Sequence, residues 1–316
     1  MNRQQTALLA LGTALKADRY RFVAPTPLTY GRVLARRRDE TSAPLVEAFG
    51  WNRPFSEHEL SASYRKLLHD ADMLESTATG ELRSCVRFST IDELIFAHSG
   101  YPTTQADSVF FGPDTYRFVR TINWLADSDP AFAPRTIVDV GAGSGAGGIY
   151  AGNLFQNVHK IVLADINVKA LEFAQVNAVL NGVAVQTCES DVLRGVAAAA
   201  DLVICNPPYL IDRAQRAYRH GGGDWGCSLA ARILDEALGS LTETGQLLLY
   251  TGTPVVAGAD KFLQEVGPVL ETRLKQFRYA ELDPDVFGEE LESPPYDQAD
   301  RIATVVLHVK AADLIR

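Results

Sequence analysis

Long apolar runs are missing from this chain, and that absence sets the first limits. No stretch approaches the ~20 consecutive apolar residues that a membrane span needs. The patch Ala7-Leu8-Leu9-Ala10-Leu11 is short, follows a single Arg and lacks a convincing leader cleavage site. A cytoplasmic protein with no membrane partner is expected. Cysteine is scarce: Cys85, Cys188, Cys205 and Cys227 stand apart with no C-x-x-C pair, so neither a disulfide framework nor a zinc site is expected. The six histidines show no H-x-x-x-H or H-E-x-x-H spacing, and the expected metal complement is none. A surplus of positive charge is missing too. Residues 1 to 120 carry 15 Lys/Arg against 14 Asp/Glu, whereas residues 121 to 316 carry 15 against 25, for a net charge of −9. Such a field does not favour broad, salt-driven adhesion to nucleic acid, although a local basic patch can still hold it.

What is present is an ordinary globular composition. The 316 residues, 47% of them hydrophobic, suffice for about two domains with sizeable cores. From about Arg135 onward, short apolar runs alternate with amphipathic stretches, the pattern of strands and crossover helices in a parallel α/β sheet. Strands are expected near 136–140, 161–165, 184–188, 201–205, 246–251, 273–280 and 302–309, with helices near 146–155, 168–180, 227–241 and 259–270. Only a Pro-rich acidic segment, 283–300, separates the last two strands, so they should pair antiparallel; it carries seven carboxylates and no Lys or Arg. The expected fold is a seven-stranded, doubly wound, Rossmann-like sheet with an antiparallel last strand. Before it, helices are expected near 4–17, 28–37, 43–49, 57–62 and 64–75, followed by one or two strands in "ELRSCVRFSTIDELIFAH". This reads as a small, mainly helical, winged-helix-like N-terminal domain over 1–106, with an irregular helical cap as the alternative; residues 107–316 form the second domain.

Four motifs carry chemistry. In "IVDVGAGSGAGGIY" a strand ends at Asp139, and Gly141, Gly143 and Gly145 allow a tight turn and close backbone approach to a ligand. The same letters satisfy the dinucleotide fingerprint, so this motif alone leaves two cofactor classes open. Asp165 closes the next strand in "IVLADIN", 22 residues after Gly143, where a carboxylate can accept both hydroxyls of a ribose. Asp191 in "CESDVL" can accept from an adenine amino group or simply cap a turn. The fourth motif, Asn206-Pro207-Pro208-Tyr209, ends the apolar run Val203-Ile204-Cys205. Two prolines fix the shape there, holding the Asn206 side-chain carbonyl and the Pro207 backbone carbonyl at a set separation. Two such acceptors can grip both hydrogens of a planar –NH₂ group while Tyr209 stacks on its face. Hydride transfer has no use for that arrangement.

In order and spacing these motifs resemble the class I S-adenosylmethionine-dependent N-methyltransferases with an NPPY-type signature, over roughly residues 108 to 310. Within that group the chain is similar to the HemK/PrmC-like glutamine N(5)-methyltransferases and to the small-domain RNA methyltransferases. The resemblance implies S-adenosyl-L-methionine as cofactor, held by Asp139, Gly141, Gly143, Gly145, Asp165, Asp191 and Asn206. It implies catalysis by Asn206, Pro207 and Tyr209, and substrate contacts from Pro208, Tyr209 and Asp114. "DSVFFGPDTYRFV" resembles the family's interdomain segment, and "GGGDWGCSLAARIL" its stretch after the signature. Two departures stand out: Gly112 replaces an arginine, and "DRAQRAYRH" replaces a Glu-Pro, adding Arg213, Arg216, Arg219 and His220. Arg213 and Arg216 are candidate substrate contacts suited to an RNA phosphate.

The implied reaction is in-line methyl transfer to an amide or exocyclic amine whose lone pair is delocalised. Accepting both N–H bonds favours developing positive charge on the nitrogen and aims its lone pair at the methyl group. The expected acceptor is a glutamine side chain of a protein, of the release- or translation-factor type. An RNA or DNA nucleobase is the alternative, and a nicotinamide-dependent dehydrogenase or an inactive scaffold is a more remote one.

Overall fold

The computed structural model describes residues 1–36, 43–197 and 199–315. Local signals account for the first helices. Helix α1 (Arg3–Ala17) opens on a capping box in which Asn2 and Gln5 exchange side-chain-to-backbone bonds of 2.8 Å, and it buries Leu8, Leu11 and Leu15 along one stripe. Prolines at the first turn start α2 (Pro27–Leu34) and α3 (Pro44–Phe49). The helix expected over 28–37 thus ends at Leu34, and residue 37 lies outside the described residues. No helix forms over 57–62. The Glu59 carboxylate takes the Ser56 N–H at 2.6 Å and closes a single turn instead. Helix α4 (Ala62–Asp70) stops well short of residue 75, because Asp72 turns into the left-handed region at φ 57° and the chain enters strand β1 (Leu74–Ser76).

Two antiparallel hairpins follow where one or two strands are expected: β1 with β2 (Leu82–Ser84), and β3 (Val86–Ile91) with β4 (Leu94–Ser99). Helix α5 (Pro113–Ser128) then leads into the main sheet. Its elements are β5 (Thr136–Val140), α6 (Ala146–Leu154), β6 (Lys160–Asp165), α7 (Val168–Leu180), β7 (Gln186–Glu189), β8 (Ala200–Cys205), α8 (Ser228–Ser240), β9 (Leu241–Val256), β10 (Ala259–Asp260), α9 (Lys261–Arg273), β11 (Arg278–Asp283) and β12 (Arg301–Lys310). The strand order is β7-β6-β5-β8-β9-β12-β11, with short β10 folded back on β9. Strands β5 to β9 run parallel, whereas β12 is antiparallel to β9 and β11 to β12. This is the doubly wound, Rossmann-like sheet with an antiparallel final strand. Strand β9 runs well beyond the expected 246–251 because its far half pairs with β12 along the whole of that strand. Strand β11 begins later than expected because α9 continues through Pro268 to Arg273.

Apolar clusters cover both faces. Phe118, Ile149 and Phe173 from α5, α6 and α7 belong to one cluster, and Ile233, Leu234, Phe262 and Val266 from α8 and α9 to the other. The first cluster continues without a break into Leu11, Phe88 and Phe96 of the N-terminal part. Two buried asparagines, Asn177 of α7 and Asn181 at its C-cap, complete that joint. Asn177 accepts from Ala97 N–H at 2.8 Å and donates to Ala97 C=O and Ser144 C=O, both at 2.9 Å. Asn181 accepts from Ile95 N–H at 3.1 Å and donates to its C=O at 2.8 Å. The two amides thus pair with the edge of β4 as another strand would.

The strand order switches at β5, with β6 and β7 laid down on one side and β8 and β9 on the other, and the carboxyl ends of β5, β6, β7 and β8 open into one crevice, the place where such sheets take ligands.

Candidate functional site

The crevice is lined by Asp139, Gly141, Gly143, Asp165, Asp191, Asn206, Pro207 and Pro208, joined by Phe110, Phe118, Tyr218 and Arg232. Its cavity volume is about 160 Å³. After β5 the glycines turn the chain sharply, with Gly141, Gly143 and Gly145 at φ 68°, 54° and 79°. A Cβ at Gly141 would meet nothing within 4 Å, and at Gly143 only a carbonyl oxygen at 4.0 Å, so this stretch of backbone faces open space. It is an open cradle instead of a packed turn.

The charges around the cradle say what kind of ligand. Asp139 is buried and accepts from Gly148 N–H at 2.7 Å; burial pushes its carboxyl up to about 7, against that bond and with help from the nearby Asp165. Asp165 accepts from Gly143 N–H and Asn167 N–H, each at 2.8 Å, and burial raises its carboxyl as well. The Gly143 N–H is therefore committed to a carboxylate and is not offered to a pyrophosphate, which the two acids would repel. A cationic ligand that carries hydroxyl groups fits the set. Asp191 sits at the far rim, bound by Arg232 and, at 3.1 Å, by Arg194. Neither arginine is among the residues expected at the site; Arg232 lies within the "GGGDWGCSLAARIL" stretch, but only the fold, which brings it to Asp191 across 41 residues of chain, shows what it grips.

A second, smaller pocket opens beside the crevice, and the two share Phe110, Asn206, Pro207, Pro208 and Tyr218. At this junction neither the Asn206 side-chain amide nor the Pro207 carbonyl has a hydrogen-bond partner among the described residues. Tyr209 is occupied differently from the stacking role expected of it. Its hydroxyl donates to Asp114 at 2.7 Å, its ring meets Phe287 edge-on at 5.9 Å, and Gly252 of β9 leaves the room for it. Asp114 is buried at the start of α5 and also accepts from Tyr250 at 2.9 Å and from Arg117 at 3.2 Å. Burial raises its carboxyl while these three donors oppose the rise.

The remaining walls come from segments whose role is not evident in the sequence. Phe287 belongs to the acidic segment 283–300, which folds back over the pocket instead of standing clear of the protein; buried Tyr296 anchors it through bonds with Ile211 N–H and Trp225 C=O. Among the arginines after Tyr209, Arg219 lines the second pocket, paired with Glu290. Arg216 is forked onto Asp212 at 2.6 and 2.8 Å, holding that acid down to about 2, and Arg213 is exposed; neither lines the pocket. Arg216 also bonds the Tyr218 hydroxyl at 3.1 Å, and the Tyr218 ring lies within 4° of parallel to Phe110. Where the resembled family has an arginine, a side chain at Gly112 would run into the Phe110 ring.

Residues 123–272 match the family model described as "Methyltransferase small domain". A release factor glutamine methyltransferase of Deinococcus radiodurans is 29% identical over 165 residues, 49% of this chain and 55% of that protein. A ribosomal protein uL3 glutamine methyltransferase of Francisella tularensis is 31% identical over 142 residues, 41% of this chain and 44% of that protein. The chain thus spans about half the length of the curated relatives it matches. Among solved structures, the T. thermophilus 16S rRNA N2 G1207 methyltransferase aligns with TM-score 0.47 at 13% identity, over 78% of this chain and 61% of that one.

Proposed function

We propose that this chain, whose residues 123–272 are a methyltransferase small domain, transfers a methyl group from S-adenosylmethionine to the side-chain amide of a protein glutamine. The observation that carries the reading is the junction at Asn206 and Pro207, where two unpartnered acceptors stand between the crevice at the strand ends and a second pocket.

S-adenosylmethionine, when bound, supplies a methyl group on a positively charged sulfur. The open glycine turn and the buried acids fit such a ligand: Asp139 and the turn at Gly141 to Gly145 would hold its amino-acid end, Asp165 its ribose and Asp191 its adenine. Asn206 Oδ1 and the Pro207 carbonyl accept the two N–H bonds of the substrate amide, which favours developing positive charge on that nitrogen. The methylated nitrogen is strongly acidic, so the same acceptors or water can take its proton. Tyr209 acts from beneath: its bond to Asp114 keeps the Pro207-Pro208 carbonyls in place. Support for glutamine comes from the relatives, which are named for glutamine in a release factor and in ribosomal protein uL3.

One observation favours a nucleobase as the second reading. Phe110, Tyr209, Tyr218 and Phe287 all line the second pocket, and flat aromatic walls suit an unstacked base. Transfer of labelled methyl from S-adenosylmethionine into a cell extract, followed by separate nuclease and protease digestion, decides between them. Label that survives nuclease and is lost with protease supports glutamine; label lost with nuclease replaces it with a base. Thermal stabilisation by adenosylhomocysteine and none by NAD is expected, by about 2.7 kcal/mol at a hundredfold excess over Kd. Stabilisation by NAD alone would overturn the cofactor assignment.

A further inference from the structure

A third concavity lies away from the crevice, between α5 and the face of the sheet at β11 and β12, and the reaction makes no use of it. Three of the chain's exposed large apolar side chains converge there: Trp124 at 37% exposure, Phe277 at 39% and Leu282 at 43%. Two exposed arginines, Arg120 of α5 and Arg278 of β11, flank them, and neither has an ion-pair partner among the described residues. On a chain of net charge −9 this pairing of arginine with apolar surface is out of character. Asp283, the one acid in the lining, is already neutralised by Arg117 at 2.9 Å. Strand β11 is also the last strand of the sheet, so its outer row of backbone N–H and C=O groups has no strand partner.

We infer that this groove is a docking site for an extended, acidic and apolar polypeptide segment. Charge complementarity to Arg120 and Arg278 selects the acidic residues, the exposed apolar surface takes the alternate side chains, and the open edge of β11 can add the segment as a further strand. A nucleic-acid strand suits the groove less well. Arg278 already lies over the Trp124 ring at 5.8 Å, so a base would have to displace that guanidinium to stack there. The groove also ends at Arg117, which bonds Asp114 beneath Tyr209, so an occupied groove adjoins the catalytic pocket through one side chain.

The test needs no methyl transfer and is therefore independent of the proposed reaction. Binding of a short labelled peptide of alternating glutamate and valine to the full chain is measured by fluorescence anisotropy, beside a lysine–valine peptide and an oligouridylate. The glutamate–valine peptide is expected to bind, the lysine–valine peptide not to bind, and R120E/R278E to weaken binding roughly tenfold or more with an unchanged melting temperature. The inference is overturned by no binding of the acidic peptide, by equal binding to R120E/R278E, or by tighter binding of the oligouridylate. Trp124→Ala provides a second reading: loss of peptide affinity with retained thermal stabilisation by adenosylhomocysteine supports the groove, and unchanged affinity removes it.

Discussion

The Tyr209 hydroxyl donates to the Asp114 carboxylate at 2.7 Å, across 95 residues of chain. The bond ties the end of the signature turn after β8 to the first turn of α5. Tyr209→Phe removes it and leaves Asp114 to Tyr250 and Arg117. Melting should fall by an amount corresponding to about 1.5–3 kcal/mol, the usual worth of a hydrogen bond to a charged group. Turnover should drop by about tenfold, since the turn loses a positioning bond, with adenosylhomocysteine affinity kept. Gly252→Ala tests the same relationship from the other side, because its Cβ would stand 2.1 Å from the Tyr209 ring. Wild-type turnover in both variants would remove the positioning role of Tyr209.

Asn206→Ala should abolish the acceptor at the junction of the two pockets. Turnover is expected to fall by about a hundredfold or more, comparable to the loss of one oxyanion-hole group. Stabilisation by adenosylhomocysteine should remain, since the glycine turn and the acids are untouched. Turnover within a few-fold of wild type, with cofactor still bound, would sink the mechanism.

The contribution of Asp139 to the stability of the ligand-free protein should decline as pH rises from about 4 to about 7. An unfolded Asp139 loses its proton near 3.8, whereas the folded carboxyl keeps it up to about 7. In that window the folded state binds more protons, so unfolding free energy falls with pH. Asp139→Asn should remove this contribution, making the slope of unfolding free energy against pH more positive than in the wild type by up to ~1.4 kcal/mol per pH unit. Urea titrations of both proteins across the window check this, and parallel slopes would refute it.

Asn177→Ala should loosen the N-terminal part from α7. It leaves the buried Ala97 N–H and C=O and the Ser144 C=O without partners, at a cost of about 3 kcal/mol. Limited proteolysis between β4 and α5 should quicken at the same time. A variant as stable and as resistant as wild type would show that the apolar contacts alone hold the joint.

Much of the sheet is legible in the sequence because strand and helix periods are local. β5 and α7 fall on the expected residues, and the glycine turn follows β5 as its motif requires. The N-terminal hairpins are less legible. Residues 64–75 carry a helical pattern throughout, yet a single left-handed residue at Asp72 turns the last of them into a strand, and its partner β2 lies beyond a turn.

At the candidate site, the sequence by itself determined the groups whose local geometry is set by their own stretch of chain. These are the acids at or just past strand ends, the glycines that admit a ligand, and the Asn-Pro-Pro-Tyr turn with its rigid carbonyls. Only the tertiary structure decided what those groups face. It placed Asp114 under Tyr209, Arg232 on Asp191, Arg216 on Asp212 instead of in the second pocket, and the acidic segment 283–300 over that pocket with Phe287 as a wall. The physical reason is range. Periodicity and backbone restriction act over a few residues and leave their mark in order and spacing. A hydrogen bond between residues 95 positions apart exists only once the sheet has brought the two segments together.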